Sequence, residues 1–360
     1  MKIRDFSSFE VGTVFNPLGY SVGVIENTKQ FVHIAYPSRL GAMTLDPSKI
    51  ASNNNLVFPA GQISFSVGIY RNVEATITET GEITVSDDTP RASIVRHAGI
   101  IMQKALGFKN GVHLRVIPEH DIRHSGLGSS GSTLAGVMAA INELFDNPIP
   151  PLELAQYCAH NYGEEIDGDN QHLMPVQSIG GSSLCGLIDG GVIVVAGEAV
   201  PIYHQVLPED MKVVIGIPED YKSLDAEKLI RAEVDNMKGF QQSGDEYADK
   251  VAYRLVHEVL PGLTLGKLKP CKDLIFDFRW NMGSIRNCSF VYPRMIEIAE
   301  SLRDLKDDNR VDIIAPSSVG PAFFGLTKDP EYLISRFKEQ GLSTYLTDIH
   351  NGCYIVKDFR

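Results

Sequence analysis

Ser125-Gly126-Leu127-Gly128-Ser129-Ser130-Gly131-Ser132 is the stretch that decides the fold of this chain. It follows a β-type apolar run at 112–117 and precedes a helical pattern at 133–145. A glycine- and serine-rich turn that opens a helix presents unpaired backbone amides at the positive end of the helix dipole. Glycines allow close backbone approach, and serine hydroxyls can hold a phosphate oxygen or a magnesium ion. The glycine-serine loop (125–132) therefore predicts an anion cradle whose usual occupant is phosphate, with a serine-capped helix start as the alternative.

Two common nucleotide motifs do not fit this loop. Gly126, Gly128 and Gly131 match G-x-G-x-x-G, but a dinucleotide unit needs a second strand that ends in an acid about 20 residues later. The segment 148–153 instead has three prolines and opens a helix. No G-K-[ST] follows the loop, so it is not a Walker loop.

The G-L-G-S-S core, Gly126 to Ser130, resembles the phosphate-binding motif of the GHMP kinase superfamily, P-x-x-x-G-L-G-S-S-x-A. Pro118 is present, but seven residues separate it from Gly126 where the superfamily has about three. The longer lead-in either contacts substrate or is a solvated insertion, which we favour slightly. Its polar residues are His120, Asp121, Arg123 and His124.

Two further segments extend the resemblance along the chain. Ser317-Ser318-Val319-Gly320-Pro321 is similar to a small-residue loop that packs against the nucleotide phosphates in this superfamily. The same string resembles S-S-W-G-P in β-ribofuranosylaminobenzene 5′-phosphate synthases, a non-kinase branch. Arg39-Leu40 looks like the first superfamily motif and again resembles the synthase branch. The match covers nearly the whole chain from about residue 33.

An acidic segment carries the third resemblance. Asp169-Asn170 match a dipeptide that lies near the acceptor hydroxyl in the kinases, which implies a catalytic role for both residues. Glu164 or Glu165 would then lie near the metal. The alternative is an acidic surface loop.

The resemblance implies a complete set of ligand-binding residues. Magnesium would be held by Ser129, Ser130, Glu164 and Glu165. ATP phosphates would contact Gly126, Leu127, Gly128, Ser129, Ser130, Gly131, Ser132, Ser318 and Gly320.

The pattern of elements predicts an α+β protein. The resemblance implies a two-lobed GHMP-kinase-like fold with the active site in the cleft between the lobes, which we place at 1–205 and 206–360. The segment patterns predict helices near 91–106, 223–237, 245–260, 291–305 and 330–340. Strands are predicted at 112–117, 184–188 and 322–326, among others.

Composition and charge exclude several classes of protein. With 43% hydrophobic and 22% charged residues, the chain has the composition of an ordinary globular protein. A net charge of −12 without a Lys/Arg run argues against nucleic-acid or membrane-surface binding. A polyanion site would then need local cations, for which the candidates are Arg39, Lys222, Lys228, Arg231, Arg279 and Arg286.

The absence of an apolar stretch near 18 residues or a signal-peptide pattern predicts a cytoplasmic protein. Five widely spaced cysteines agree with that compartment, and no zinc or iron motif is present. A homodimer is the default expectation for the oligomeric state.

These observations favour an ATP- and magnesium-dependent kinase that phosphorylates a hydroxyl group of a small metabolite. The first alternative is a synthase-like enzyme that binds phosphoribosyl pyrophosphate in the same cradle. The second is a nucleotide-binding sensor that has lost catalysis.

Overall fold

The computed structural model describes residues 7–20, 22, 23, 26–49, 60–120, 124–176, 178–223 and 225–360. Its strands are β1 Phe9–Glu10, β2 Phe31–Thr44, β3 Gln62–Thr78, β4 Ile83–Val85, β5 Gly111–Pro118, β6 Gly163–Ile166, β7 Asp169–Pro175, β8 Val192–Val195, β9 Pro201–Gln205, β10 Lys212–Pro218, β11 Val311–Pro316, β12 Phe323–Thr327, β13 Leu342–Asp348 and β14 Ile355–Phe359. Its α-helices are α1 Ala92–Leu106, α2 Ser129–Leu144, α3 Pro151–His160, α4 Gly181–Leu187, α5 Ala226–Asp235, α6 Met237–Arg254, α7 Leu260–Thr264, α8 Lys269–Phe276, α9 Ser284–Cys288, α10 Met295–Ser301 and α11 Pro330–Lys338.

The largest sheet is built around two long antiparallel strands, β2 and β3. Its main path runs β14-β2-β3-β5-β4, and β8 pairs with both β3 and β9. Among the described strands of this sheet, β4 and β5 pair in parallel and the other pairs are antiparallel. Strand β5 leads directly toward the glycine-serine loop, so the sheet fixes where that loop begins.

Helix α2 lies buried against this sheet. Fourteen of its 16 residues are buried, and most of them are small or apolar. A Cβ atom on Gly136 would lie 3.0 Å from the Cβ of Tyr36, so the glycine allows the helix backbone to approach β2 closely. The buried helix holds its own N-terminus in a fixed position.

A second sheet has the order β11-β12-β10-β13 and is covered by the helices that lie between β10 and β11 along the chain. Two π-helical turns, Leu255–Val259 and Asp277–Asn281, continue α6 into α7 and extend α8. One hydrophobic core joins the two sheets, where the rings of Phe65 and Phe324 lie 5.9 Å apart.

The α+β class is confirmed, and α1, β5, β12 and α11 lie where the sequence predicts them. The division at residue 205/206 stays a prediction; strand β14, from the end of the chain, pairs with β2 of the first sheet.

The predicted strand at 184–188 is wrong, because Gly181–Leu187 forms helix α4. All seven residues of α4 are buried, so this segment has no polar face. A short apolar run of this kind does not reveal whether it is helix or strand.

Candidate active site

A cleft with a volume of about 280 Å³ opens at the N-terminus of α2. It is lined by residues that lie before and after position 205 in the sequence. The part before residue 205 contributes β2, the glycine-serine loop, Glu164 and the segment around Gly180. The part after residue 205 contributes α5, α6, the π-helical turn at 277–281 and the loop that follows β11.

The glycine-serine loop presents unpaired amides to this cleft. Gly126 and Gly128 have φ angles of +93° and +65°, a conformation that favours glycine, and α2 begins immediately after Gly128. Within the described part of the chain, no acceptor receives a hydrogen bond from the amides of Ser129, Ser130 or Gly131. Three free amides at a helix N-terminus form an anion site.

The 317–321 loop packs directly against the glycine-serine loop. The Ser317 hydroxyl donates to the carbonyl oxygen of Gly126 over 2.7 Å and accepts from the amide of Gly41 over 3.1 Å. The Ala322 amide donates to the carbonyl oxygen of Ser125 over 3.2 Å. A Cβ atom on Gly126 would overlap the Ser317 carbonyl oxygen. The GHMP resemblance of both loops implies that they share one phosphate site and lie together, and this contact is confirmed.

Arg39 places a guanidinium group beside the glycine-serine loop. Its Nε lies 3.3 Å from the Ser182 hydroxyl, and a Cβ atom on Gly128 would lie 3.1 Å from the same Nε. Among the described residues, no carboxylate forms an ion pair with Arg39. Burial lowers the pKa of this arginine. An unneutralised cation beside free amides adds to the anion site.

Arg279 also lines the cleft, but unlike Arg39 its guanidinium is engaged with backbone carbonyl groups. Its guanidinium donates to the carbonyl oxygens of Ala42, Gly41 and Ser318, over 2.6, 3.0 and 2.9 Å. Burial, with a smaller contribution from the charge of Arg39, lowers its pKa to about 10, although the Cys288 thiol acts in the opposite direction. Arg279 thus ties β2 to the 317–321 loop.

A buried ion pair between Arg91 and Glu165 contacts the glycine-serine loop at Ser130. Arg91 donates to the Ser130 hydroxyl, and its Nε lies 3.5 Å from Oε1 of Glu165. His124 Nε2 lies 3.9 Å from the same Glu165 oxygen. These contacts fix the Ser130 side chain, so Ser129 has the freer hydroxyl of the two.

Two carboxylates line the cleft, Glu164 and Glu233. Oε2 of Glu164 accepts a hydrogen bond from the Tyr162 hydroxyl over 2.5 Å. Loss of hydration, and then the charge of Glu164, raise the pKa of Glu233 to about 7. The remaining lining on this side is mainly apolar, with Leu229, Met237, Phe240 and Phe278.

The comparisons with known proteins agree with this geometry. Residues 93–181 match the family model described as "GHMP kinases N terminal domain". A homoserine kinase from Methanococcus maripaludis is 26% identical over 305 residues, which cover 79% of this chain and 89% of the relative. Residues 93–181 are thus similar to the GHMP kinase N-terminal domain, and most of the chain is similar to a homoserine kinase.

Solved structures of this superfamily share the fold. A homoserine kinase from Cytophaga hutchinsonii matches with a TM-score of 0.61 at 13% identity, over 92% of this chain and 98% of that one. A mevalonate pyrophosphate decarboxylase from Streptococcus pyogenes gives a TM-score of 0.63 at 13% identity, over 91% and 99%. At these identities the likeness concerns the fold alone.

The residues that the GHMP resemblance implies for phosphate binding lie mostly together. The cleft lining contains Gly126, Leu127, Gly128, Ser129, Ser130, Gly131, Ser318 and Gly320. Ser132 is fully buried inside α2, and its hydroxyl has no partner among the described residues.

The other residues that the GHMP resemblance implies do not all lie in the cleft. Glu164 lines the cleft, whereas Glu165 is turned toward Arg91. Asp169 lies at the β6–β7 turn, outside the lining, where its carboxylate accepts from Gln171 N over 2.8 Å and lies 2.9 Å from Nδ1 of His172. Asn170 is exposed beside it. The catalytic role of Asp169 and Asn170 stays a prediction without a contact in the cleft.

Sequence reasoning missed Glu233 and the apolar wall around it. The signal was the spacing of Leu229, Glu233, Met237 and Phe240, which repeats every three to four residues. One acid within an otherwise apolar stripe on a helix is a candidate for a site residue. Of the longer lead-in before Gly126, residues 121–123 lie outside the described residues, and His124 lines the cleft.

No described helix is long and apolar enough to cross a membrane.

Proposed function

We propose that this protein is an ATP- and Mg²⁺-dependent kinase that transfers a phosphoryl group to a hydroxyl of a small metabolite. The observation that carries the proposal is the N-terminus of α2, where three free amides and the Arg39 guanidinium face one cleft. For phosphoryl transfer a protein must mainly bind the phosphates, neutralise their charge and orient the acceptor hydroxyl. This cleft has groups for the first two tasks, the amides of α2 and the Arg39 guanidinium.

The amides of Ser129, Ser130 and Gly131 would hold phosphate oxygens of ATP, because each lacks another acceptor among the described residues. Gly126 and Gly128 let the backbone approach those oxygens closely. Arg39 would stabilise the charge on the transferred group, and Arg279 keeps β2 and the 317–321 loop in place.

The donor set also fits magnesium. Glu164 and Ser129 line the same cleft, and carboxylate and hydroxyl oxygens are the hard ligands that Mg²⁺ prefers. Along the stretches that the structure describes, no group of three His, Cys, Asp or Glu side chains could hold a metal. Because Mg²⁺ keeps several waters and binds substrate phosphates, two protein ligands suffice. When bound, the ion would offset phosphate charge.

Homoserine is the first acceptor to test, since relatives at 25–26% identity are named homoserine kinases. Those names also favour ATP over phosphoribosyl pyrophosphate, so the synthase-like alternative is not favoured. The sensor alternative is not favoured either, because the cleft retains an unpaired arginine and two carboxylates.

Calorimetric titration with ATP–Mg²⁺ and with phosphoribosyl pyrophosphate–Mg²⁺ tests this proposal, followed by ADP release in the presence of homoserine and other small alcohols. We expect ATP to bind and ADP to form only when an acceptor is present. Binding of phosphoribosyl pyrophosphate alone would favour the synthase, and ATP binding without any turnover would favour the sensor.

A further inference from the structure

Glu233 is a carboxylate for which none of the residues that the structure describes supplies a counter-charge. It lines the cleft and is partly buried, yet no described residue forms a hydrogen bond or an ion pair with it. The other cleft carboxylate, Glu164, raises the energy of its charged form rather than lowering it. A carboxylate in this setting is stable in its charged form only when a cation binds beside it.

The surroundings of Glu233 indicate what kind of cation fits. Leu229 precedes it by one turn of α5, and Met237 and Phe240 line the same cleft from the start of α6. These side chains offer no oxygen ligand, and Mg²⁺ requires a shell of oxygens. An organic ammonium group carries its own methylene groups, which pack against apolar side chains.

The cleft is also polarised. Arg39 and Arg279 lie near each other, since the charge of Arg39 lowers the pKa of Arg279, and Glu164 and Glu233 are likewise close enough to interact. The buried Cys288 thiol interacts with both Arg279 and Glu233. A molecule that enters this cleft therefore meets a cationic region beside the glycine-serine loop and an acidic region on the α5 side. Phosphates fit the first region, and an amine fits the second.

We propose that Glu233 binds a primary amino group of the acceptor, and that the acceptor is consequently an amino alcohol. This inference rests on the proposed kinase function and assigns a specificity-determining residue within the same site. Glu233 holds the amine by an ion pair, while Glu164 remains with the Mg²⁺ ion of the proposed kinase site. The amine anchors the acceptor so that its hydroxyl points toward the glycine-serine loop.

The test compares acceptors that differ only in the amine: L-homoserine against 4-hydroxybutyrate, and 3-aminopropanol against 1-propanol. Wild-type protein is compared with Glu233→Gln, which keeps the shape of the side chain. Asp235→Asn is the matched control, because Asp235 is an exposed acid on the same helix. ATP affinity is measured for all three proteins and shows whether each variant has folded.

We expect turnover with an amino alcohol, and kcat/KM for its amine-free analogue to be lower by about tenfold or more, the usual effect of losing a hydrogen bond between charged groups. Glu233→Gln should raise KM for the amine to a similar extent while KM for ATP stays unchanged. The analogue's kinetics should be the same in both proteins, and Asp235→Asn should behave as wild type.

Equal turnover of amine and analogue would overturn the inference, as would an equal loss on both acceptors in Glu233→Gln. A higher Mg²⁺ requirement in that variant would assign Glu233 to the metal instead. Absence of turnover with either amino alcohol would also overturn it. In that case, retained ATP–Mg²⁺ binding would leave the kinase proposal standing, whereas its loss would remove both.

Discussion

The hydroxyl of Ser317 donates a hydrogen bond to the carbonyl oxygen of Gly126 over 2.7 Å, although 191 positions separate the two residues. The same hydroxyl accepts from the amide of Gly41. One side chain thereby joins β2, the glycine-serine loop and the 317–321 loop at the rim of the cleft. Such a bridge holds the candidate phosphate site in one shape before any ligand arrives.

Replacing Ser317 by Ala should therefore weaken both the fold and the site. Removing the hydroxyl leaves two buried backbone groups without a partner, a loss of about 1–3 kcal/mol in the free energy of unfolding. Urea denaturation measures that loss, and calorimetric titration measures the weaker ATP binding. Ser335→Ala, at an exposed position on α11, is the control. Wild-type stability in Ser317→Ala would show that the bridge is dispensable.

Gly128→Asp should abolish ATP binding. A Cβ atom at this position would lie 2.5 Å from the Ser182 hydroxyl, and the new carboxylate would occupy the anion site. Repulsion between like charges costs several kcal/mol, so we expect an increase in Kd of more than about a hundredfold. Gly168→Asp is the matched control, because Gly168 also has a positive φ but has open space around it. ATP affinity that survives in Gly128→Asp would contradict the assignment of the loop.

Arg39→Met should reduce turnover more than it reduces ATP affinity. The guanidinium lies beside Gly128 without an ionic partner among the described residues, so its charge is free to stabilise a transferring phosphoryl group. We expect kcat to fall by about a hundredfold or more, the usual effect of removing one such stabilising group. Steady-state kinetics with ATP measures both parameters. Arg286→Met removes an exposed arginine from α9 and should leave kcat unchanged.

His97 should make the fold less stable in mild acid. The Gly12 amide donates to its Nδ1 over 2.9 Å and its Nε2 lies 2.7 Å from the Asn161 carbonyl oxygen, so the buried ring is neutral. Burial lowers its pKa from 6.5 to about 4. The unfolded chain therefore takes up a proton more readily between these values, and stability falls as pH drops from 6.5 toward 4.

Urea denaturation at pH 7 and pH 5 measures this effect. Between those values the wild type should lose about 2 kcal/mol more than His97→Gln, whose side chain does not titrate. His204→Gln, at an exposed position on β9, should keep the wild-type dependence. Identical pH dependence in His97→Gln and wild type would exclude this histidine as the cause.

The sequence by itself was sufficient to predict the anion cradle of the glycine-serine loop. The backbone freedom of glycine and the start of a helix are local properties, and both can be recognised from residues 125–132 alone. It also determined the α+β class, through periodic segments such as α1, β5 and α11. The contact of the 317–321 loop with Gly126 was implied by the GHMP resemblance, and the small residues of the loop agree with it, since two backbones approach closely only where side chains are small.

Only the tertiary structure decided which acids share the cleft. Glu164 and Glu165 are neighbours in sequence, but successive side chains of a strand point to opposite faces. On β6, Glu164 therefore lines the cleft and Glu165 faces Arg91. Asp169 fits the pattern equally well and lies at a turn outside the lining. The apolar spacing around Glu233 marks it as a candidate, but only long-range packing places α5 across from the glycine-serine loop and so brings Glu233 into the cleft.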